Sequence, residues 1–240
     1  MSIEVRLLSS DTALFYDLAR QHGGLFVQSF WCSAYSTSLK IAGIFNNGSL
    51  IGGFTLFETR LKGFKAWITP PFAQHCGLFY QTSTSDNTSK INSFHKSVMR
   101  EVAGFLKSEG PSLIKLEWPP EVTDTQPLIW QGLDISPKYT YVIDLTRGED
   151  ELRKNADPKI RGLLEPRGLL LKSDTDPSTL MQLVKKTYAG KSVSINTMLA
   201  QLLVSSVHQH GQLLSSLATV NGEAVGAYVC AYYGDTCYYL

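Results

Sequence analysis

The chain has 240 residues, of which 43% are hydrophobic and 18% charged, with a net charge near +1. That length supports one large or two modest domains with ample core-forming material. Nothing in the balanced charge demands nucleic acid or an anionic membrane by charge alone, and no apolar run approaches the roughly 18–20 residues of a membrane span.

The opening residues Met1-Ser2-Ile3-Glu4-Val5-Arg6 lack the basic-then-apolar layout of a secretory signal. Cys32, Cys76, Cys230 and Cys237 show no paired CxxC spacing. They are expected to be small buried hydrophobes in a reducing, cytoplasmic setting rather than metal ligands. No metal is expected.

Residues 3–8 read as a short strand. Ser10 or Asp11 can cap a helix whose Leu14, Phe15, Leu18 and Ala19 share one face, and Gly23-Gly24 ends it. A short helix over 26–35 follows. Segments 39–45 and 49–59 then form a hairpin, Lys62-Gly63 turns into a strand over 64–68, and Pro70-Pro71 stops the ladder because proline offers no backbone donor. A polar loop over 82–90 precedes a long amphipathic helix carrying Ile91, Phe94, Val98, Val102, Phe105 and Leu106, terminated by Gly110-Pro111. A buried strand is predicted over 112–117, closed by Trp118-Pro119-Pro120.

The second half repeats this order. A strand is predicted over 140–145, then a charged helix over 149–154, restarted at Asp157-Pro158 with Asp as cap and Pro in the first turn. An extended segment over 169–172 leads to a helix capped at Asp176-Pro177 with Leu180, Leu183, Val184 and Tyr188. A further helix carries Met198, Leu199, Leu202, Leu203 and Val207 up to Gly211. Strands over 213–220, 223–233 and 236–240 complete the order, pairing Tyr233 with Thr236, Tyr232 with Cys237, and Cys230 with Tyr239. The class is α+β with mixed sheets.

One pattern occurs twice. Asn47-Gly48-Ser49-Leu50-Ile51-Gly52-Gly53-Phe54 returns as Asn221-Gly222-Glu223-Ala224-Val225-Gly226-Ala227-Tyr228. Asn-Gly between apolar runs signals a type I′ hairpin, which needs positive φ at both central residues. The second Gly marks a bulge or a close backbone approach. Two such hairpins predict a duplicated domain, divided into 1–138 and 139–240. The final Cys-Tyr-Tyr-Leu is apolar, without a polar tail. The second copy is therefore expected to lack its C-terminal part, and the chain to be weak or inactive alone.

Three segments carry a family resemblance. Gln28-Ser29-Phe30-Trp31 resembles a Gln-Ser-x-x-Trp entry signature, with Trp one position early. Tyr141-Val142-Ile143-Asp144-Leu145, followed by Lys159-Ile160-Arg161, resembles an Asp-Leu … Lys-x-Arg block. Gly234-Asp235-Thr236-Cys237-Tyr238-Tyr239-Leu240 resembles a Gly-Asp-x-x-Tyr-Tyr-Leu strand. Together with the element order they resemble the FemAB-related and BioF2-like proteins, which join two GNAT-like acyltransferase domains. Gly162 and Pro166 stand where that family continues a basic helix.

The resemblance implies transfer of an acyl or aminoacyl group to an amine acceptor, with a cell-wall or polysaccharide precursor as one candidate. Acyl-CoA or aminoacyl-tRNA would be the co-substrate, with no permanently bound cofactor. It places Tyr238 and Tyr239 at the acceptor cleft, where a phenol can protonate a leaving group or orient an amine. Successive strand residues face opposite ways, so at most one of the two faces the cleft. Lys159, Arg161 and Arg167 would hold phosphate on a substrate or donor, although Glu149, Asp150, Glu151, Asp157 and Glu165 make a self-neutralising helix face the alternative. Gln28, Ser29 and Lys40 would border the first cleft.

Ordinary GNAT enzymes seat the CoA pyrophosphate on a Gly-rich loop. Here Thr69-Pro70-Pro71-Phe72-Ala73-Gln74-His75-Cys76-Gly77 offers two prolines and one glycine, so no CoA is expected there. Adjacent His75 and Cys76 point apart, against a Cys/His nucleophile. His208 and His210, two apart on a helix, cannot share a metal. The competing class is a non-catalytic binding or scaffold protein that retains the cleft.

Overall fold

A computed structural model describes residues 2–9, 12–82, 85–162, 170–173, 176–189, 191 and 195–240. The first half runs β1 (Ile3–Leu7), α1 (Thr12–His22), α2 (Ser29–Cys32), β2 (Leu39–Asn46), β3 (Ser49–Leu61), β4 (Phe64–Ile68), β5 (Phe79–Tyr80), α3 (Thr88–Glu109), β6 (Leu113–Lys115) and α4 (Gln126–Trp130). The second runs α5 (Glu149–Asn155), α6 (Pro158–Arg161), β7 (Leu170–Ser173), α7 (Pro177–Ala189), α8 (Thr197–Gln209), β8 (Leu213–Val220), β9 (Glu223–Tyr233) and β10 (Thr236–Tyr239). The first sheet is ordered β1-β2-β3-β4-β6, with β5 also on β3; β6 joins β4 in parallel and the other pairs are antiparallel. The second is ordered β10-β9-β8-β7 and is antiparallel throughout.

The repeated hairpin recurs at the level of register. Leu39 pairs with Phe57 and Leu213 with Ala231; Ile44 pairs with Gly52 and Ala218 with Gly226; Phe45 pairs with Leu50 and Thr219 with Ala224. A displacement of 174 residues maps each β2–β3 partner onto its β8–β9 counterpart. Both copies skip one residue at the same place, Ile51 in one and Val225 in the other. Asn47 and Gly48 have φ of 48° and 82°, and Asn221 and Gly222 have 50° and 82°, the paired positive values of a type I′ turn. That turn matches the right-handed strand twist, so each Asn-Gly sets the register of its hairpin.

The first sheet is covered on both faces. Ala42, Ile44, Phe54, Leu56 and Trp67 pack against Phe94, Val98, Met99, Val102, Phe105 and Leu106 of α3. The helix begins where Asn87 Oδ1 accepts from the Ser89 and Lys90 N–H groups. On the opposite face, Phe15 and Ala19 of α1 pack with Ile41, Phe45, Leu50 and Phe79. The second sheet has α7 and α8 on one face, through Leu180, Met181, Ala200, Val204 and Val229.

A third cluster joins the halves. Leu25, Phe26, Trp31 and Tyr35 pack with Leu199, Leu203 and Val207 of α8 and Ala231 of β9. Polar contacts flank it: Ser206 Oγ donates to Phe30 O at 2.7 Å, Tyr233 Oη to Arg20 O at 3.1 Å, and Gln74 Nε2 to Tyr239 O at 3.1 Å. Each fully buried Leu or Phe in such a cluster contributes roughly 1.5–3 kcal/mol.

Four expectations need correction. Residues 140–145 form no strand; they are exposed, and a 3-10 turn starts at Leu145. Their β-branched and aromatic residues favour a strand, but no described strand lies alongside to complete a ladder. Residues 112–117 shrink to the three-residue edge strand β6, paired on one side only and incompletely buried. Leu14, Met198 and Leu202 are exposed, because the buried stripes of α1 and α8 are narrower than their apolar content. Cys32 and Cys76 are buried, but Cys237 is exposed and Cys230 half-buried. The proposed caps Ser10 and Asp11 lie outside the described residues.

Candidate functional site at the junction of the halves

The segment linking β4 to β5 is held at both edges. Cys76 N–H donates to Glu117 O at 2.8 Å, and Thr55 N–H and Oγ1 both donate to Cys76 O at 2.9 Å. Residues 69–78 thus fill the space between β3 and the strand end after β6. Burial pushes the Cys76 thiol up to about 12, so it stays protonated and is no nucleophile. Gly77 has φ of 70°, and a Cβ there would meet Val27 at 2.6 Å. Glycine therefore lets this segment lie against the α1–α2 corner.

That placement turns His75 toward the second half. Its Nδ1 accepts from the Gly77 N–H at 3.1 Å, so the neutral ring carries its proton on Nε2. Nε2 lies 3.4 Å from the hydroxyl of Tyr238. The Phe26 ring packs against both, with centroids 4.8 Å from His75 and 4.7 Å from Tyr238. Burial pushes the His75 pKa down to about 4, because a desolvated imidazolium has no charged partner. The Tyr238 hydroxyl is raised from its ordinary value by burial first, then by Glu121 and Asp235.

Gln74 and His75 also line a cleft of about 1000 Å³. Its floor includes Leu106, Ile114, Leu128 and Leu133, and its rim includes Glu117 and Lys138, which form an ion pair. The free edge of β10 meets this cleft through Gln74. Leu240 N–H donates to Val229 O at 3.0 Å, so Thr236, Tyr238 and Leu240 direct their backbone polar groups toward β9. By the alternation of an antiparallel ladder, Cys237 and Tyr239 direct theirs outward. The Tyr239 carbonyl that accepts from Gln74 is one of these outward groups.

The expected site residues scatter. Tyr238 faces the junction, while the Tyr239 side chain is 69% exposed on the opposite face. Gln28 is only 2% exposed, and its Nε2 donates to Ala19 O, Gly23 O and Gly24 O. That amide binds one carbonyl of α1 and the two glycine carbonyls that follow the helix, so Gln28 braces the α1–α2 corner instead of bordering a cleft. Lys40 lies on the sheet face that packs on α3. There the Glu58 carboxylate is held below its usual range by Lys65 first, with Lys40 a minor contributor. Tyr238 belongs with the residues of the other face. Lys159 and Arg161 are exposed on the single turn of α6. Arg153 is paired with Glu149 at 2.8 Å. Arg167, Pro166 and Glu165 lie outside the described residues.

Sequence reasoning missed Phe26 and the pairing of His75 with Tyr238. Only the His75-Cys76 dipeptide drew attention there, for a different chemistry. Among the described residues no group of three or more His, Cys, Asp or Glu side chains is placed to hold a metal ion, and no helix is long and apolar enough to cross a membrane.

No protein-family model matches the chain, and no curated protein matches it. Among solved structures it is similar to FemX, at 14% identity and a TM-score of 0.51, over 92% of this chain and 58% of FemX. It is also similar to a tandem GNAT protein from the clavulanic acid biosynthesis pathway, at 12% identity and a TM-score of 0.45, over 98% of this chain and 76% of that one. A ribosomal-protein-alanine N-acetyltransferase from Brucella melitensis biovar Abortus 2308 overlaps at 15% identity and a TM-score of 0.34, over 60% of this chain and 99% of that one. The chain thus spans less than two thirds of the length of FemX. At such identities the likeness is one of fold: this is an α+β chain with a mixed sheet and a second, antiparallel sheet, similar in fold to FemX.

Proposed function

We propose that the protein moves an acyl or aminoacyl group from an activated donor, acyl-CoA or aminoacyl-tRNA, to an amine acceptor, with residues 1–138 and 139–240 as its two GNAT-like units. The observation that carries this reading is the outer edge of β10. It lies beside the cleft and is joined to it by Gln74 and His75. The Cys237 and Tyr239 N–H groups point outward there and would receive the oxyanion of a tetrahedral intermediate, a role worth several kcal/mol per donor in acyl transfer. The acceptor amine would attack directly, with no covalent enzyme intermediate, and the fold would supply position.

Tyr238 is the group proposed to meet the reacting atoms. His75 donates to its oxygen from Nε2, which leaves the phenolic proton to be given to the leaving group as the C–S or C–O bond breaks, the phenolate then taking the proton that the attacking amine gives up. Tyr239 contributes through its backbone. Lys159, Arg161 and Arg167 are proposed contacts for phosphate on the donor or on a cell-wall precursor. Filling of the space between β3 and the strand end after β6 by residues 69–78 supports seating the donor on the second sheet. The same filling also favours the rival reading, a binding or scaffold protein that keeps the cleft without a donor.

A thermal-shift panel of acetyl-CoA, longer acyl-CoAs, aminoacyl-tRNA and cell-wall precursors tests this. A donor at a hundredfold excess over its Kd would stabilise the protein by about 2.7 kcal/mol. One donor class should stabilise the native protein, and Cys237→Pro, which deletes an edge N–H, should lower kcat about 10²-fold or more while leaving that shift in place. Silence from each donor, with a shift from a precursor alone, would sink the transferase reading in favour of the scaffold.

A further inference from the structure

We infer that the tip of the β3–β4 hairpin is a contact surface for an anionic phospholipid bilayer. This goes beyond the transferase reading and holds whatever group the cleft transfers. The two copies of the meander diverge at this point. Thr59 pairs with Ala66 in the first half, and Tyr233, 174 residues after Thr59, pairs with Thr236 in the second. The second copy then turns at once through Gly234-Asp235. The first inserts Arg60-Leu61-Lys62-Gly63-Phe64-Lys65 between its equivalent residues. The sibling hairpin closes without such an insertion, so the shared fold does not require it.

Register sorts the inserted residues by chemistry. Leu61 stands opposite Phe64 and Arg60 opposite Lys65, so the apolar pair lies on one face and the two cations on the other. Lys62 and Gly63, with φ of 50° and 86°, make the turn between them. Pairing with β2 stops at Phe57, and pairing with β6 starts at Ala66. The tip therefore projects as a two-stranded arm with no further strand beside it. Phe64 is 67% exposed and Leu61 37%, and neither belongs to the buried clusters.

Charge and shape select the partner. Residues 59–66 hold three cations and no Asp or Glu, in a chain whose net charge is near +1. Lys65 is paired with Glu58 at 2.9 Å, while Arg60 donates to the Gly63 carbonyl at 3.1 Å. Among the described residues neither Arg60 nor Lys62 has an ion-pair partner. An anionic bilayer meets both halves of this pattern, with phosphates for the cations and an acyl boundary for Leu61 and Phe64. Lysine and arginine stems reach from such a boundary to the headgroups. RNA would engage the cations and stack on Phe64 at most, leaving Leu61 in water. Two apolar side chains also fall far short of the roughly 800 Å² that a stable protein interface takes from each partner.

The test is co-sedimentation of the 240-residue protein with sucrose-loaded vesicles. Vesicles of mixed phosphatidylcholine and phosphatidylglycerol should bind it about tenfold or more tightly than phosphatidylcholine alone. Lys62→Asn keeps a residue that accepts positive φ and should weaken binding about fivefold, the share of one cation. Phe64→Thr keeps strand propensity and should weaken it about tenfold or more, with far-UV circular dichroism unchanged. In Phe64→Trp, brominated phosphatidylcholine in the mixed vesicles should quench fluorescence beyond the level seen for the native protein. Should Phe64→Thr fail to fold, that quenching decides the matter. Absence of binding, equal binding to both vesicle types, or no added quenching in Phe64→Trp overturns the inference. Binding of tRNA that Lys62→Asn weakens, with none to either vesicle, also overturns it and assigns the tip to RNA.

Discussion

His75 Nε2 lies 3.4 Å from the Tyr238 hydroxyl, across 163 residues of sequence. The contact depends on a backbone device: the Gly77 N–H occupies Nδ1, so the imidazole approaches Tyr238 as a donor. The phenol is thereby held while its own proton remains available, which is the arrangement the proposed chemistry needs.

Tyr238→Phe should lower kcat for acyl transfer by about 10²-fold or more, while costing only about 0.5–1.5 kcal/mol of stability for one hydrogen bond. Tyr239→Phe should change kcat by less than threefold, because its side chain faces away from the junction. Steady-state kinetics of the two variants beside urea unfolding checks this. Equal losses of activity would remove Tyr238 from its special place.

Stability should fall on acidification through one identifiable group. Folding depresses the His75 pKa to about 4 from an ordinary value of 6.5. Between those values the unfolded chain binds more protons than the folded one. The contribution is therefore complete above about pH 6.5 and is lost as pH falls through 4, on the order of 3 kcal/mol in total. Thermal unfolding from pH 7 to pH 4 should show this slope in the native protein. A flatter slope is expected in His75→Gln, and parallel curves would contradict the assignment.

Equivalent glycines should respond in opposite ways. A Cβ at Gly52 would lie 2.2 Å from Phe79 O and 2.5 Å from Tyr80 Cα, which are backbone atoms of β5. Gly226, its counterpart by register, meets nothing within 4 Å and does not have positive φ. Gly52→Ala should destabilise by about 2 kcal/mol or more. Gly226→Ala should be neutral or stabilising by roughly 0.4–1 kcal/mol through the unfolded state. Denaturant midpoints of both variants decide it.

Leu203 ties the halves together from α8, buried against the cluster that holds Phe26 and Trp31. Leu203→Ala should cost about 2–5 kcal/mol. It should also separate unfolding of the halves, so that the fluorescence of Trp31 and Trp67 and the far-UV signal no longer change together. A single coincident transition in this variant would show that the shared cluster does not couple them.

Much of the fold was legible because it rests on local chemistry. The two Asn-Gly dipeptides predict turns whose backbone demands few other residues meet, and the pairing of Tyr233, Tyr232 and Cys230 with Thr236, Cys237 and Tyr239 follows by counting from the last turn. The Asp157 and Asp176 caps appear as predicted, each accepting from an N–H two residues on. Residues 140–145 failed for a complementary reason. Strand propensity describes a residue's fit to a sheet, and the ladder must come from elsewhere in the chain.

The site was legible only in part. Gln28 was singled out through a motif, yet a buried amide among three carbonyls is a corner brace. Lys40 was assigned to the first cleft, and sheet parity sends it to the α3 face. Alternation separated Tyr238 from Tyr239 in advance, but not which of them turns inward, since that depends on the helix layer beneath β10.

By itself the sequence determined turns, caps, register and the doubling of a hairpin, all of which depend on contacts between near neighbours and on backbone angles particular residues accept. Tertiary structure alone decided that His75, Phe26 and Tyr238 meet, and that residues 69–78 fill the space between β3 and the strand end after β6. Those outcomes depend on how layers stack across more than a hundred residues. Burial, and with it the desolvation that depresses His75, exists only once the layers have closed.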